Sequence, residues 1–365
     1  MIIRLLAALA LFASLGGAAA RAAAPAADEL MIYNWNDYFG ATTLADFTKA
    51  TGIKVKYTTY STNEEMEKRI GNGMSGFDIV VPSAQPYFAR LAQNGRFKPL
   101  DKSKIPNLTN LDPILMQSVL SADPGNRYGI VYAWGTSGIA FNVDKIKQRM
   151  PNAPLHSWDM LFNPDIVKKF ADCGVAVIDS GYEVFPVLMN YLGADPRSEK
   201  PEDLQAAEAA MLKLKPFIRK FDSANTIQDL ADGRICLAFT WSGDALQAKA
   251  KADAARKGVH IDFNLPQEGS VMWFDMMGVL RDAPHPDAAF KFINFILDPD
   301  TMAKITNTVA YANAVPASLA KVDPAIKNDP DVFPTPEVRR HLFVVNQPSP
   351  AYEKLRQRAW EHISH

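Results

Sequence analysis

Cysteine and histidine are scarce in this sequence, and neither sign of charge is in excess. The 365-residue chain has two cysteines, six histidines, and 39 basic side chains against 40 acidic ones. A formal balance of −1 offers no field for nucleic acid or an anionic membrane, and no nucleic-acid partner is expected. The histidines, His156, His260, His285, His341, His362 and His365, show neither H-E-x-x-H nor Cys/His ligand spacing, so no metal site is expected. No G-x-S-x-G elbow and no phosphate-cradling glycine loop followed by Lys-Ser or Lys-Thr occurs. Gly71-Asn72-Gly73-Met74-Ser75-Gly76 fits G-x-G-x-x-G in form, but it follows a helical segment and precedes a strand, the reverse of the dinucleotide-binding order. No enzyme class is indicated by these motifs and no cofactor is expected.

What is present describes a folded, exported chain. Apolar side chains make up 48% and charged ones 22%, enough for one large core or two smaller ones. Residues 1–22 read as a secretory signal: Arg4 near the start, an apolar run from Leu5 to Leu15, and small residues ending in Ala20-Arg21-Ala22. That run is shorter than the ~20 residues a membrane-spanning helix needs, and nothing similar recurs downstream. Export places the two cysteines in an oxidising compartment, which favours a Cys173–Cys236 disulfide over two buried thiols, the alternative reading. Neither cysteine lies near the expected new N-terminus, so a lipid anchor on cysteine has no attachment point there.

Strand-like and helix-like segments alternate along the chain. Leu30 to Tyr33 reads as a buried strand, a helix follows Thr42 or Thr43 and ends at Gly52, and further strands are expected at Ile53–Tyr57 and Phe77–Val81, with a charged helix between them. Strands near 128–132, 138–141, 175–178, 235–239 and 261–264 continue the pattern. Alternation of this kind predicts an α/β layered fold with a mostly parallel sheet, whose ligands sit beyond the carboxyl ends of the strands. The length favours two lobes over one sheet, with crossings in Tyr132-Ala133-Trp134-Gly135-Thr136 and near Gly258. The expected division puts 28–134 and about 258–310 in lobe 1, and 135–257 with about 311–365 in lobe 2.

An aromatic residue and an acid recur together three times: Trp35 with Asp37 and Tyr38, Trp241 with Asp244, and Trp273 with Asp275. Each alone has an ordinary reading, since a strand-end tryptophan is usually core and a nearby aspartate often caps a helix. Together they suit a different purpose. Indole faces attract organic cations and carboxylates pair with ammonium groups, so the implied ligand is a small amine charged at both ends.

Tyr33-Asn34-Trp35-Asn36-Asp37-Tyr38, Phe77-Asp78-Ile79-Val80-Val81-Pro82-Ser83, Leu100-Asp101-Lys102-Ser103-Lys104, Trp241-Ser242-Gly243-Asp244, Pro266-Gln267-Glu268-Gly269 and Tyr311-Ala312-Asn313-Ala314 resemble, in the same order, motifs of the periplasmic putrescine/spermidine-binding proteins of bacterial ABC transporters. The resemblance spans nearly all of the chain after the signal. It implies a two-lobed α/β solute-binding fold that closes by a hinge over a polyamine and presents it to an inner-membrane ABC permease; a periplasmic monomer is expected. By the same resemblance Trp35, Tyr38, Trp241, Trp273 and Tyr311 form an aromatic box. Asp37, Glu183, Asp244 and Asp275 are the carboxylates, Asn36 and Ser83 give polar contacts, and Cys173 and Cys236 match a cysteine pair of the putrescine-type branch.

The amine itself is less clearly written. Trp273 resembles spermidine-preferring members, whereas Gln85, Ser180 and Val345 replace groups that some of them use; the balance leans to spermidine, with putrescine as competitor. A sugar or iron receptor, an amine sensor, and a secreted hydrolase using two of the acids remain as alternatives.

Overall fold

A computed structural model describes residues 29–364, and the signal expected at 1–22 lies outside the described residues. β1 (Glu29–Trp35) buries Leu30, Ile32 and Tyr33. α1 (Thr43–Thr51) buries Phe47 and stops at Gly52, whose φ of 76° turns the chain while its N–H caps the Thr48 carbonyl. β2 (Lys54–Tyr60) lies parallel to β1, and α2 (Asn63–Ile70) is capped by the Thr62 side chain, which accepts from the Glu65 N–H. β3 (Ile79–Val80) pairs in parallel with the other side of β1. A π-type turn at Ala84–Phe88 then runs into α3 (Ala89–Gln93).

β4 (Gly129–Asn142) is buried along all 14 residues. After it come β5 (Val175–Val177), α4 (Gly181–Tyr191), α5 (Pro201–Leu214), β6 (Lys220–Phe221), β7 (Leu237–Trp241) and α6 (Ser242–Ala255). β5 runs parallel to both β6 and β7. β8 (Ile261–Asn264), β9 (Ser270–Val279), α7 (Pro286–Ile296), α8 (Pro299–Val309), β10 (Ala312–Asn313), β11 (Leu342–Phe343) and α9 (Pro350–Ser364) complete the chain.

The main strand order is β2-β1-β3-β9-β4-β7-β5-β6. Within it β4 serves two sets of partners. Its first part, Gly129–Thr136, pairs with β9, and its second, Ser137–Asn142, pairs with β7 and β8, all antiparallel. β9 likewise runs from Val271, packed with Trp158 and Phe239, to Met277 and Val279, packed with Ile32 and Ile79. Two strands therefore pass from one half of the molecule to the other, bonded to each other on the way.

Three expectations change. The strands expected at 128–132 and 138–141 are one strand, because the crossing segment Ala133–Thr136 pairs with β9. The sheet is mixed, not mostly parallel, since strands that cross between halves must be met by antiparallel returns. The lobe division also differs: β8, grouped with lobe 1, pairs with Ile139–Asn142, and β10, grouped with lobe 2, pairs with Ala133 and Trp134. Each half has its own core on both faces of its sheet, one around Phe47, Phe292, Tyr87 and Phe274, the other around Trp158, Phe185, Phe239 and Ile261. No helix among the described residues is long and apolar enough to cross a membrane.

Cys173 and Cys236 are joined, with Cα atoms 5.6 Å apart across 63 residues of chain. They precede β5 and β7, so the bridge ties adjacent strands at the ends opposite Trp241. Reduction of the disulfide, or a Cys173→Ala/Cys236→Ala variant, is expected to lower unfolding stability by about 2 to 4 kcal/mol through the freer unfolded chain. Urea denaturation followed by tryptophan emission reads this; an unchanged midpoint would contradict it.

Candidate functional site

The carboxyl ends of β1, β2 and β3 face those of β5, β6 and β7 across a cavity. Trp35 is the last residue of β1 and is paired in register with Tyr60, the last of β2. Its indole Nε1 donates to the Val81 carbonyl at 2.8 Å and its ring packs on Tyr60 at 4.7 Å. The turn after it places Asp37 at φ 50°, a left-handed conformation that aspartate tolerates better than most residues, and so leaves Asp37 exposed and Tyr38 buried.

Asp275 lies on β9, where its backbone bridges to Ser83 just past β3. Its two oxygens accept from the Tyr38 hydroxyl at 2.6 Å and the Ser83 hydroxyl at 2.8 Å. Asn63 holds Ser83 in turn, through its amide nitrogen to Oγ at 3.0 Å and its amide oxygen to the backbone N–H at 3.1 Å. Ser83 thus orients Asp275, and Asn36 is turned to Ser61, at 2.8 Å.

From the other half, Trp241 ends β7 and opens directly into α6, whose first turn carries Asp244. Asp244 accepts from the Tyr311 hydroxyl at 2.6 Å. This approach requires Gly243, since a Cβ there would stand 2.5 Å from a Tyr311 ring carbon. Gly135 serves Trp273 in the same way, a Cβ there meeting the indole at 2.6 Å. Glu183, in the first turn of α4, accepts from the Ser137 hydroxyl and from the Trp241 Nε1 at 3.0 Å.

The rings close around the cavity. Trp35 meets Trp241 across the two halves with centroids 6.1 Å apart, Tyr38 meets Tyr311 at 5.4 Å, and Tyr311 meets Trp273 at 5.2 Å. The Trp273 indole nitrogen has no hydrogen-bond partner among the described residues.

Asp275, Glu183 and Asp244 are 4%, 8% and 9% exposed. Among the described residues, no lysine, arginine or histidine lines the cavity. Burial pushes the Asp275 carboxyl up to about 7 against the opposing hydrogen bonds from Tyr38 and Ser83. Glu183 rises to about 7 for the same reason, opposed by Ser137 and Trp241 and reinforced by the charge of Asp275. Asp244 rises to about 7 by burial, with Asp37 adding to it and Tyr311 opposing. Burial and the neighbouring carboxylates hold the Tyr38 and Tyr311 phenols well above their usual range, so both stay hydrogen-bond donors.

All the residues that the sequence pointed to, Trp35, Asn36, Asp37, Tyr38, Ser83, Glu183, Trp241, Asp244, Trp273, Asp275 and Tyr311, line this one cavity. Tyr60, Ser61, Ser223, Ala224 and Ile227 line it as well and were not foreseen. Tyr60 was within reach, because it ends the strand beside the one that Trp35 ends. Ser223 follows the two-residue β6, too short to leave a pattern. Among the described residues no group of three or more His, Cys, Asp or Glu side chains is placed to hold a metal ion.

The model of the bacterial extracellular solute-binding protein family matches residues 42–335, and the chain belongs to that family, one of binding proteins rather than enzymes. The putrescine-binding periplasmic protein PotF of Escherichia coli (strain K12) is 43% identical over 336 residues, covering 92% of this chain and 90% of its own. The putrescine-binding periplasmic protein SpuD of Pseudomonas aeruginosa (strain UCBPP-PA14) is 41% identical over 343 residues, 93% of each chain. Among solved structures, a putative spermidine/putrescine ABC transporter from Listeria monocytogenes superposes with a TM-score of 0.83 at 30% identity, covering 92% of this chain and 98% of that one. The fold is the two-lobed α/β fold of periplasmic solute-binding proteins.

The raised carboxyls give the closed, unliganded form a pH dependence of definite sign. Each acid binds its proton more tightly in the closed fold than in water, so the stability linked to it is complete below about pH 4 and is lost as pH rises through about 7. Asp275→Asn, which keeps the shape and removes the charge, is expected to favour the closed, unliganded form at pH 8 by roughly 1 to 3 kcal/mol. The gain should shrink towards zero near pH 4. Small-angle scattering of wild type and variant at the two pH values checks it; a gain independent of pH would contradict the assignment.

Proposed function

We propose that the protein binds a short alkyl polyamine in the cleft between its lobes and delivers it, in the periplasm and as a single chain, to an inner-membrane ABC permease for uptake. One observation carries this reading: three buried carboxylates and a fourth at their edge face an aromatic-walled cavity that, among the described residues, has no basic side chain in its lining. A polyammonium guest supplies the missing charge, and cation–π contacts with the indoles contribute up to about 2 kcal/mol each where water is excluded. A sugar would leave the acids unpaired.

Closure follows from the same electrostatics. With no cation between them the acids repel and lose hydration in the closed cleft, so the open form is favoured; the guest reverses this and shifts the population to the closed form. In this reading lobe 1 comprises about 29–135 and 274–340, lobe 2 about 137–272 and 342–364, and the crossings in β4 and β9 are the hinge.

The relatives at 43% and 41% identity bear putrescine in their names. This supports putrescine ahead of spermidine, against the lean read from Trp273. Calorimetry with putrescine, cadaverine, spermidine, spermine, a hexose and an amino acid tests class and preference together. Putrescine should bind tightest and the hexose and amino acid not at all; hexose binding without amine binding would overturn the reading.

Asp275→Asn should weaken putrescine binding roughly a hundredfold or more, since it leaves an ammonium desolvated without its counter-charge. Wild-type affinity in that variant would remove Asp275 from the site. Because an ammonium beside Asp275, Glu183 and Asp244 draws their protons off, putrescine affinity should rise between pH 5.5 and 8, with net proton release. Calorimetry in buffers of differing ionisation heat measures the protons released; net uptake would contradict the pairing.

A further inference from the structure

Outside the cavity, four side chains from the two halves of the molecule form one line across the cleft. On one side the Arg90 guanidinium lies 5.1 Å over the Tyr87 ring, and Glu67 holds Arg90 by a fork with both contacts at 2.6 Å. On the other side the Arg356 guanidinium lies 4.8 Å over the Tyr182 ring and pairs with Glu353 one turn earlier on α9. The two tyrosines meet edge to face, with centroids 6.0 Å apart and planes at 73°. Neither ring lines the cavity where the acids converge.

Each tyrosine is anchored within its own half. The Tyr87 hydroxyl donates to Glu64, and the Tyr182 hydroxyl donates to the Val345 carbonyl at 3.2 Å. Tyr87 is 1% exposed and Tyr182 7%, although both stand at a boundary between moving bodies. Opening the cleft would leave both cation–π pairs and both hydroxyl contacts intact, because each lies within one half. Along this line, the contact between Tyr87 and Tyr182 is the one that opening breaks. Charge does not oppose its formation, since Arg90 and Arg356 are each neutralised by an acid of their own half.

We infer that Tyr87 and Tyr182 form a closure latch, stiffened from behind by Arg90 and Arg356, which sets ligand affinity from outside the binding cavity. A guest that binds the closed form has an apparent affinity scaled by the fraction of protein that is closed. Any contact made only on closing therefore strengthens binding without touching the guest. The inference rests on the polyamine reading only for the choice of probe, and one arm of its test needs no ligand.

Tyr87→Leu and Tyr182→Leu remove the ring contact while filling most of the space. Each should weaken putrescine binding about three- to tenfold, the range expected for an aromatic pair, by faster dissociation with little change in association. The double variant should be no weaker than the weaker single one. Tyr87→Phe, which keeps the ring and loses the Glu64 contact, should bind within about twofold of wild type. Additive losses in the double variant, or wild-type affinity in both single ones, would overturn the latch. The second arm places fluorescent dyes on Met74→Cys and Leu192→Cys, exposed positions at 93% and 47% in opposite halves; the native cysteines are tied in their disulfide and do not react. Single-molecule energy transfer on unliganded protein should show the closed fraction falling three- to tenfold in either leucine variant, and an unchanged fraction would overturn the latch. A wild-type chain that fails to bind putrescine would sink the polyamine reading and leave this arm decisive for the latch.

Discussion

Carboxylates removed from water with no cation beside them are the constraint on which this molecule turns. Asp275, Glu183 and Asp244 are each given what the chain can offer: a tyrosine, serine or indole donor and, for Glu183 and Asp244, a place in the first turn of a helix, where the backbone favours negative charge. These supports do not offset the loss of hydration, since all three carboxyls still rise to about 7. A chain built for stability alone would place a lysine or arginine in such a cavity. Among the described residues, no basic side chain enters the lining, and the cavity remains short of positive charge.

The architecture delivers that shortage to one place. Parallel strands in each half end at the same edge, and the residues just past those ends, Tyr38 and Ser83 on one side and Ser223 and Asp244 on the other, face each other. Asp275 comes from a different source, the interior of β9, and reaches the site because β9 lies between β3 and β4 and carries its backbone alongside Ser83. Glycines at 135 and 243 let an indole and a phenol come within contact of backbone that any larger residue would push away. Site chemistry and close packing are therefore specified by the same short motifs.

Much of the site could be read in the sequence for that reason. Trp35 with Asp37 and Trp241 with Asp244 sit at the ends of apolar runs, so type, spacing and strand position point the same way. Glu183 carries no such local signal and was reached through resemblance, and Ser137, which holds it, lies in a strand whose role depends on partners more than 100 residues away. The fold was legible where helices and strands alternate, as at Asn63–Ile70 and Ile261–Asn264. It was less so where pairing overrides local pattern. Tyr132-Ala133-Trp134-Gly135-Thr136 reads as a crossing between lobes, not as the middle of the continuous strand β4, and Met272-Trp273-Phe274-Asp275-Met276 has no clean alternation because β9 is covered on both faces as it passes between the halves. Short strands such as β8 and β10 could not be assigned to a lobe, since their placement is decided by which part of β4 accepts them.

The passage of β4 and β9 side by side has a mechanical meaning. Two strands laced together by backbone hydrogen bonds resist sliding and stretching but flex readily out of their plane. A ribbon of that kind leaves the halves one soft coordinate, a swing about a line across the ribbon. Occupancy of the cavity is then encoded as a single angle, legible to any receiving surface that touches both halves at once.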